Sequence, residues 1–405
     1  MATIYVWFRD ANGSVMRAGE LRFAEEAGPK GTRLVSEFRY DEAYLENNFA
    51  IALNPASMPL ETKPFSSSTE SGLHGVFEDS LPDAWGRRLL CKKLKLPLSL
   101  DIWPQLLLHL NTNCLGALAY TENKRWRKTA ERRSILELDD LVNAAQSFEN
   151  DPNGIKESFA ALLQAGSSPG GARPKAIIID EAGIEWIAKF PSIHDQYDIC
   201  GLEATAMQLC KDCDINTAEF KIIDLAADKR VFLSKRFDIS DGGRYHVISA
   251  QTLMNLSGYY NSTYLELLRH IQQYSNDPEK TVLQFLKQSC FNFLIGNTDD
   301  HLKNYSFYHG PSGWDLTPAY DILPNVLNNQ EHALQLSYLY DRPGKKAILS
   351  LFKESGISQR KASKIITEIV SQLRRFKDLA KAYDVPENQI LHFDKQIQRR
   401  LNSWQ

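Results

Sequence analysis

Ile295-Gly296-Asn297-Thr298-Asp299-Asp300-His301-Leu302-Lys303-Asn304 is the stretch on which the reading of this 405-residue chain turns. Phosphoryl transfer needs a carboxylate that orients and deprotonates the attacking hydroxyl, together with oxygen ligands for the metal that neutralises the phosphates. A protein-kinase catalytic loop meets both needs with an Asp followed five positions later by an Asn. Asp299 stands at that offset from Asn304, whereas Asp300 is one short. Lys303 lies between them, where a cation can approach the transferring phosphate. Taken alone, the loop reads equally well as an Asx-rich turn or a helix cap.

Working outward, Leu316-Thr317-Pro318-Ala319-Tyr320-Asp321-Ile322-Leu323 supplies a further carboxylate, seventeen residues after Asn304. Asp321 falls in the slot of the kinase metal-binding Asp, a hard anionic oxygen donor suited to magnesium. Upstream, Lys189 ends the apolar run Trp186-Ile187-Ala188-Lys189, in the manner of the lysine that grips nucleotide phosphates. Glu203, fourteen residues on and in a helical pattern, is spaced to pair with it. The run 230–236, followed by Phe237-Asp238, reads as a strand entering the hinge beside adenine. Before all of these comes Gly166-Ser167-Ser168-Pro169-Gly170-Gly171-Ala172-Arg173-Pro174-Lys175. Gly170 and Gly171 let backbone N–H groups approach phosphates, and Arg173 and Lys175 add charge. Each piece has an ordinary explanation: a snorkelling lysine, a turn aspartate, a flexible hairpin. Their order, glycine loop, strand lysine, helix glutamate, Asp-x4-Asn and then Asp, is the order a bilobal kinase needs.

Composition is compatible with that reading and excludes several others. With 43% hydrophobic and 24% charged residues the chain has globular usage, neither fibrous nor disordered. A formal charge of −3 gives no field that would by itself recruit nucleic acid or a membrane surface. No stretch approaches the roughly 18 apolar residues of a membrane span, and the N-terminal apolar run stops at Arg9-Asp10, too short for a signal segment. Six cysteines are too sparse for a disulfide scaffold, so a reducing, cytoplasmic setting is expected. Cys210 and Cys213 have Cys-x-x-Cys spacing, but no second pair follows. They read as small hydrophobes near a helix end, and no zinc site is expected.

Residues 1–50 alternate as strands (Ile4, Val6, Phe8; Leu21 and Phe23) around an Asp10-Ala11-Asn12-Gly13 turn. A helix is expected after Asp79 or Ser80 as cap, with Pro82 in its first turn, and another over Trp103 to Leu110. The polar, basic run 121–133 marks a boundary. Helix is expected from Leu136 to Gln164, then strands near 176–180, 186–190, 219–224 and 230–236. Beyond Val247 the pattern turns mainly helical. The domains expected are therefore 1–130, 131–238 with the glycine-rich loop, and 239–405 with the catalytic loop.

The stretches 167–175, Ile187-Ala188-Lys189, Lys235-Arg236-Phe237-Asp238, 296–304 and 316–321, with Phe77-Glu78-Asp79-Ser80-Leu81-Pro82-Asp83-Ala84-Trp85-Gly86-Arg87-Arg88, together resemble the HipA-like kinases. The resemblance covers nearly the whole chain. It implies an α+β, bilobal protein-kinase-like fold, with a small β-rich N-lobe, a helical C-lobe and an extra N-terminal α/β subdomain. It also implies a bacterial serine/threonine kinase that uses ATP and Mg2+ and acts as the toxin of a toxin–antitoxin pair. Such toxins phosphorylate an aminoacyl-tRNA synthetase and so block translation. A small helix-turn-helix HipB-like antitoxin binds them and carries the complex to operator DNA. By matching motif, Asp299 would be the catalytic base, and Asn304 and Asp321 the magnesium ligands. Lys189 with Glu203, Gly170, Gly171, His301 and Lys303 would line the nucleotide, and the backbone around Lys235, Phe237 and Asp238 would meet adenine. Autophosphorylation, which silences the enzyme, would fall on Ser168, with Ser167 as its neighbouring alternative, because a dianion there repels ATP.

Two other readings stay open at this point: a small-molecule or lipid kinase of similar fold, and a partner-binding corepressor without turnover. Residues 351–405 carry eleven Lys/Arg against six Asp/Glu, which fits solvent faces of amphipathic helices as well as it fits phosphate contact. No helix-turn-helix is recognisable, so DNA is expected to be engaged only through the antitoxin.

Overall fold

The computed structural model describes residues 2–28, 31–98, 102–126, 133–152, 162, 173–256, 262–329, 331–336 and 344–404. The chain divides into two units. The first comprises Met1–Ala188, Arg236–Tyr260 and Ser306–Ser312; the second comprises Lys189–Lys235, Asn261–Tyr305 and Gly313–Gln405.

In the first unit, a five-stranded antiparallel sheet has the order Phe65–Ser66, Gly31–Tyr40, Val15–Gly28, Ala2–Arg9, Leu118–Thr121. Alternation decides which face is inward: Ile4, Val6 and Phe8 are buried, and the residues between them are not. The helices Ala84–Leu94 and Trp103–Leu110 also bury apolar residues, with Trp85 and Trp103 almost fully enclosed. The cap of the first of these helices differs from expectation. Asp83, not Asp79 or Ser80, accepts the Gly86 N–H at 2.8 Å, and Pro82 precedes the cap. Asp79 is committed elsewhere, accepting from the Ser249 N–H and hydroxyl at 2.7 and 2.9 Å, and Ser80 bonds the Tyr120 hydroxyl at 2.6 Å. Asp83 also meets Lys175 at 3.0 Å in an ion pair whose two side chains are at most 6% exposed. The helix expected over 136–164 is observed as Leu138–Asn150; the basic connector and the end of that stretch lie partly outside the described residues.

Strand Lys175–Ile179 runs parallel to Arg133–Ser134 and neighbours the strand Glu185–Lys189. Beyond 247 the chain is not purely helical. Ser306–Gly310 pairs antiparallel with His246–Ser249, so a segment distant in sequence completes this unit.

The second unit is rich in helices, among them Ile199–Asp212, Tyr264–Tyr274, Pro278–Ile295, Gln359–Leu373 and Glu387–Asn402. Its strands Phe220–Asp224 and Arg230–Lys235 form an antiparallel pair. Pro278 opens the long helix in its first turn and Gly296 closes it at φ +82°, a left-handed conformation that glycine adopts without strain. A Cβ at Gly296 would also collide with the Arg400 guanidinium. The helix therefore ends where the Asn297–Asn304 loop begins. Cys210, Cys213 and Cys290 are buried among these helices, and burial pushes each thiol pKa up. Among the described residues, no helix is long and apolar enough to cross a membrane.

Two buried imidazoles give the first unit an acid sensitivity. The Nε2 atoms of His74 and His246 bond the carbonyls of Phe65 and Leu53 at 3.0 and 2.9 Å. Burial lowers both pKa values to about 4, the carbonyl bonds partly opposing it. An unfolded chain takes up these protons near pH 6.5, so the stability they represent is present above that pH and is lost as pH falls towards 4. Going from pH 7 to pH 5 is expected to destabilise the fold by about 2 kcal/mol for each histidine. Guanidinium unfolding of the full chain at the two pH values measures it. The double variant His74→Gln/His246→Gln should show a shallower pH dependence, and an unchanged one would refute the assignment.

Candidate active site

The centre of the second unit is one ammonium group between two carboxylates. Lys189, at the end of its strand, places Nζ 2.5 Å from Glu203 Oε1 and 2.8 Å from Asp321 Oδ1. Glu203 faces it from the helix Ile199–Asp212, whose start is capped by Asp198 accepting from the Gly201 N–H. The Lys189 Nζ also lies 5.6 Å from the Phe232 ring centroid. Burial alone would lower the Lys189 pKa, but Asp321 and Glu203 outweigh it and raise the value. The lysine is therefore held charged.

Asp321 reaches this position from a strained backbone, φ +57°, in a region that non-glycine residues seldom adopt. The preceding residues fix it. Ala319 accepts from the Ala218 N–H at 3.1 Å and donates to the Asn216 carbonyl at 2.8 Å, and the Tyr320 hydroxyl donates to the Lys303 carbonyl at 2.7 Å. The Pro-Ala-Tyr-Asp motif thereby ties the Asp321 segment to the loop 297–304.

The loop 297–304 has its own internal bonds. Asn304 Nδ2 donates to the Asp299 carbonyl at 2.7 Å, and the Asn304 N–H donates to the His301 carbonyl at 2.8 Å. His301 Nδ1 accepts from the Lys303 N–H at 3.2 Å, closing the short turn Leu302–Asn304. The two adjacent aspartates have opposite environments. Asp299 is 59% exposed at the side chain, with its Oδ1 3.9 Å from His301 Nε2, whereas Asp300 is 0% exposed. Partial loss of water around the Asp299 carboxylate raises its pKa; His301 lowers it, and the negative charges of Asp321 and Asp300 raise it again.

Of the residues singled out from the sequence, Lys189, Glu203, Asp299, His301, Lys303, Asn304 and Asp321 fall within this unit, as does Lys235, which pairs with Glu219 at 2.8 Å. Phe237 and Asp238 belong to the first unit. There the fully buried Asp238 carboxylate takes Arg236 at 2.5 Å and the Gly116 N–H at 2.7 Å. Burial opposes its ionisation, but Arg236 and then Arg244 hold its pKa below the ordinary value. That carboxylate belongs to a buried structural cluster. Gly170, Gly171, Ser167 and Ser168 lie outside the described residues.

Sequence reasoning missed the polar network beneath the loop. Asp300 Oδ2 is bonded by the Tyr264 hydroxyl and lies 3.2 Å from His332 Nδ1. Tyr264 and Tyr305 bring their hydroxyls within 3.4 Å of each other, and Asn292 Nδ2 donates to Tyr305 at 2.9 Å. Thr298 donates its hydroxyl to Asn325 Oδ1 at 3.0 Å. These partners are scattered from 264 to 332, with no periodicity or motif to announce them; only the doubled Asp299-Asp300 hinted that one carboxylate has another task.

The donor set fits a divalent cation and a nucleotide phosphate. Because the Asn304 amide nitrogen is fixed as a donor, its Oδ1 is the acceptor, and with the Asp321 carboxylate it offers hard oxygen ligands. The Lys189 ammonium is the cation of this set that could meet a phosphate.

The description of the HipA-like C-terminal domain matches residues 167–376, more than half of the chain, and that of the HipA N-terminal domain matches residues 14–121. The chain belongs to the HipA-like family. It is 25% identical over 261 residues to the toxin YjjJ of Escherichia coli K12, covering 60% of this chain and 57% of that protein. It is 45% identical over 47 residues to the serine/threonine-protein kinase toxin HipA of Shewanella oneidensis MR-1, covering 12% of this chain and 11% of that one. The chain thus spans little more than half the length of YjjJ and a small part of the second relative. A solved structure of the Shewanella oneidensis MR-1 toxin–antitoxin system, HipA, HipB and its operator DNA, matches with a TM-score of 0.72 at 18% identity. That match covers 98% of this chain and 96% of the other, and the α+β fold expected from the sequence is the fold found.

The lysine triad gives a test that does not depend on activity. Replacing Lys189 by Met leaves Glu203, whose side chain is 3% exposed, as a buried carboxylate without its ammonium. The loss expected is about 3 kcal/mol in urea unfolding. Adding Glu203→Leu should restore most of it. A double variant as unstable as Lys189→Met would show that the pair is not the source.

Proposed function

We propose that this chain is an ATP- and Mg2+-dependent serine/threonine protein kinase acting as the toxin of a HipBA-like toxin–antitoxin system. The observation that carries the reading is Lys189 held between Glu203 and Asp321, in the same unit as Asp299 and Asn304. Asp299 is the exposed carboxylate of the loop. It accepts the proton of the substrate hydroxyl as that oxygen bonds to the γ-phosphorus of ATP and ADP leaves. Lys189 holds the nucleotide phosphates, and Glu203 keeps the ammonium in place. Asn304 Oδ1 and Asp321 would hold Mg2+, which supplies charge neutralisation for the phosphates when bound. His301 and Lys303, with Gly170 and Gly171 of the glycine-rich loop, complete the nucleotide site, and the backbone near Lys235, Phe237 and Asp238 receives adenine.

The same reading includes regulation and partners. Autophosphorylation of Ser168, or of Ser167 beside it, would set a dianion against the ATP phosphates. The target is a translation component of the aminoacyl-tRNA synthetase class. A HipB-like helix-turn-helix antitoxin is the partner, through which operator DNA is reached. The division at residues 130 and 238 into an N-terminal subdomain, an N-lobe and a C-lobe belongs to this proposal.

Radiolabelled ATP with magnesium, purified chain and a bacterial lysate as acceptor tests it. Label in the chain itself and in one lysate protein is expected, absent in Asp299→Ala, with self-label lost in Ser168→Ala or Ser167→Ala. ATP binding without label in any protein would replace the kinase toxin by a small-molecule kinase or a corepressor. The raised Asp299 pKa adds a pH signature, since the base must be ionised. kcat is expected to fall on acidification through a pKa above the ordinary value near 4. A flat profile down to pH 4 would remove Asp299 from that role.

A further inference from the structure

Asp300 is an unusual residue to bury. Its side chain is 0% exposed, Oδ1 has no hydrogen-bond partner among the described residues, and Oδ2 alone takes Tyr264 and His332. A carboxylate satisfied on one side only is a poor source of stability compared with an apolar residue of similar size. What it does achieve is attachment. Tyr264 opens the helix Tyr264–Tyr274, and His332 lies eleven residues beyond Asp321, so one carboxylate joins both to the residue that follows Asp299.

Other bonds run in parallel. The Ala333 N–H donates to the Thr298 carbonyl at 3.0 Å, and the Thr298 hydroxyl reaches Asn325 Oδ1 at 3.0 Å. Asn325 Nδ2 in turn donates to the Asn329 carbonyl at 2.8 Å. Further along, Tyr264 and Leu265 donate their N–H groups to the carbonyls of Gln335 and Leu336 at 2.9 and 3.3 Å. Residues 325–329 and 331–336 are therefore seated along the loop on both sides of Asp299. The side chain that makes this seating specific is His332, 10% exposed and packed edge-on against the Phe293 ring at 4.9 Å.

We propose that His332 is a positioning residue: by bonding Asp300 it latches residues 331–336 onto the catalytic loop and thereby sets the orientation of Asp299 for proton abstraction. The catalytic part rests on the kinase reading above; the latch itself does not. Asp299 and Asp300 are consecutive, so a backbone rotation that carries the Asp300 side chain away from Tyr264 and His332 turns the Asp299 side chain as well. His332 touches neither substrate nor nucleotide in this scheme, and its loss should be read in turnover and not in ATP affinity.

The experiment compares wild type, His332→Phe and His332→Asn in the full chain. Phe keeps the packing on Phe293 but has no donor; Asn carries an amide nitrogen close to the place of Nδ1. Two quantities are measured: steady-state kcat and KM for ATP, and hydrogen exchange at the Ala333 amide. For His332→Phe the expected result is a tenfold or greater fall in kcat, KM for ATP within twofold of wild type, and faster Ala333 exchange. His332→Asn should recover most of both. Unchanged kcat in His332→Phe, with or without faster exchange, overturns the positioning role, as does failure of His332→Asn to rescue. A wild-type chain that transfers no phosphate overturns the kinase reading instead, and the exchange measurement then decides the latch alone.

Discussion

A buried ammonium is the constraint around which the second unit is organised. Lys189 can stay charged at 14% exposure only because Glu203 and Asp321 are both within 2.8 Å. Each partner then has to be delivered by a different kind of element. Glu203 comes from a helix begun by the Asp198 cap, and Arg230 holds that cap in turn, pairing with Asp198 at 2.6 Å and with the Tyr383 carbonyl at 2.7 Å. Asp321 comes from a backbone at positive φ, a conformation of order 1–3 kcal/mol above the favoured regions. The Ala319 bonds and the Tyr320 hydroxyl hold it there. The helix start, the strand end and the strained turn thus answer to one electrostatic demand.

The same demand sets the chemical character of the site. An ammonium already matched by two carboxylates leaves net negative charge, and Asp299 adds to it, so the site calls for a cation as well as for phosphate. Asn304 is the neutral member of the set. Its amide nitrogen is spent on the Asp299 carbonyl, which orients its oxygen without adding charge.

Much of this was legible in the sequence, and for identifiable reasons. Alternation assigned the buried face of Ala2–Arg9, because a strand has period two and one of its faces is buried. The offsets Asp299 to Asn304 and Lys189 to Glu203 were legible because each spans a single turn or a strand-to-helix step, within which local geometry limits the possible arrangements. Where tertiary partners decided, the sequence misled or was silent. Asp79 looked like a helix cap until Ser249, 170 residues away, claimed its carboxylate. Nothing in the spacing of Phe237-Asp238 announced that the Asp238 carboxylate is taken by Arg236 and the Gly116 N–H. The strand Ser306–Gly310 was hidden in a region of helical pattern because its partner, His246–Ser249, lies some sixty residues upstream. Burial of a polar group depends on who comes to meet it, and spacing along the chain does not carry that.

The doubled aspartate brings these lines together. Two identical side chains, adjacent in sequence, differ in every property that matters to chemistry: Asp299 keeps most of its water and Asp300 has none. A base must be reachable and able to turn over its proton, whereas an anchor must be immobile and shielded; no single carboxylate can be both. Placing the two on consecutive residues lets the buried one fix the backbone that carries the exposed one. The cost is a buried oxygen without a partner among the described residues, and such a cost persists where geometry at the neighbouring atom is worth more than local stability. Tyr264, Tyr305 and Asn292 then read as the footing of that anchor, extending from Asp300 back to the helix that ends at Gly296, so that the end of the long helix and the start of the catalytic loop are set by one continuous run of hydrogen bonds.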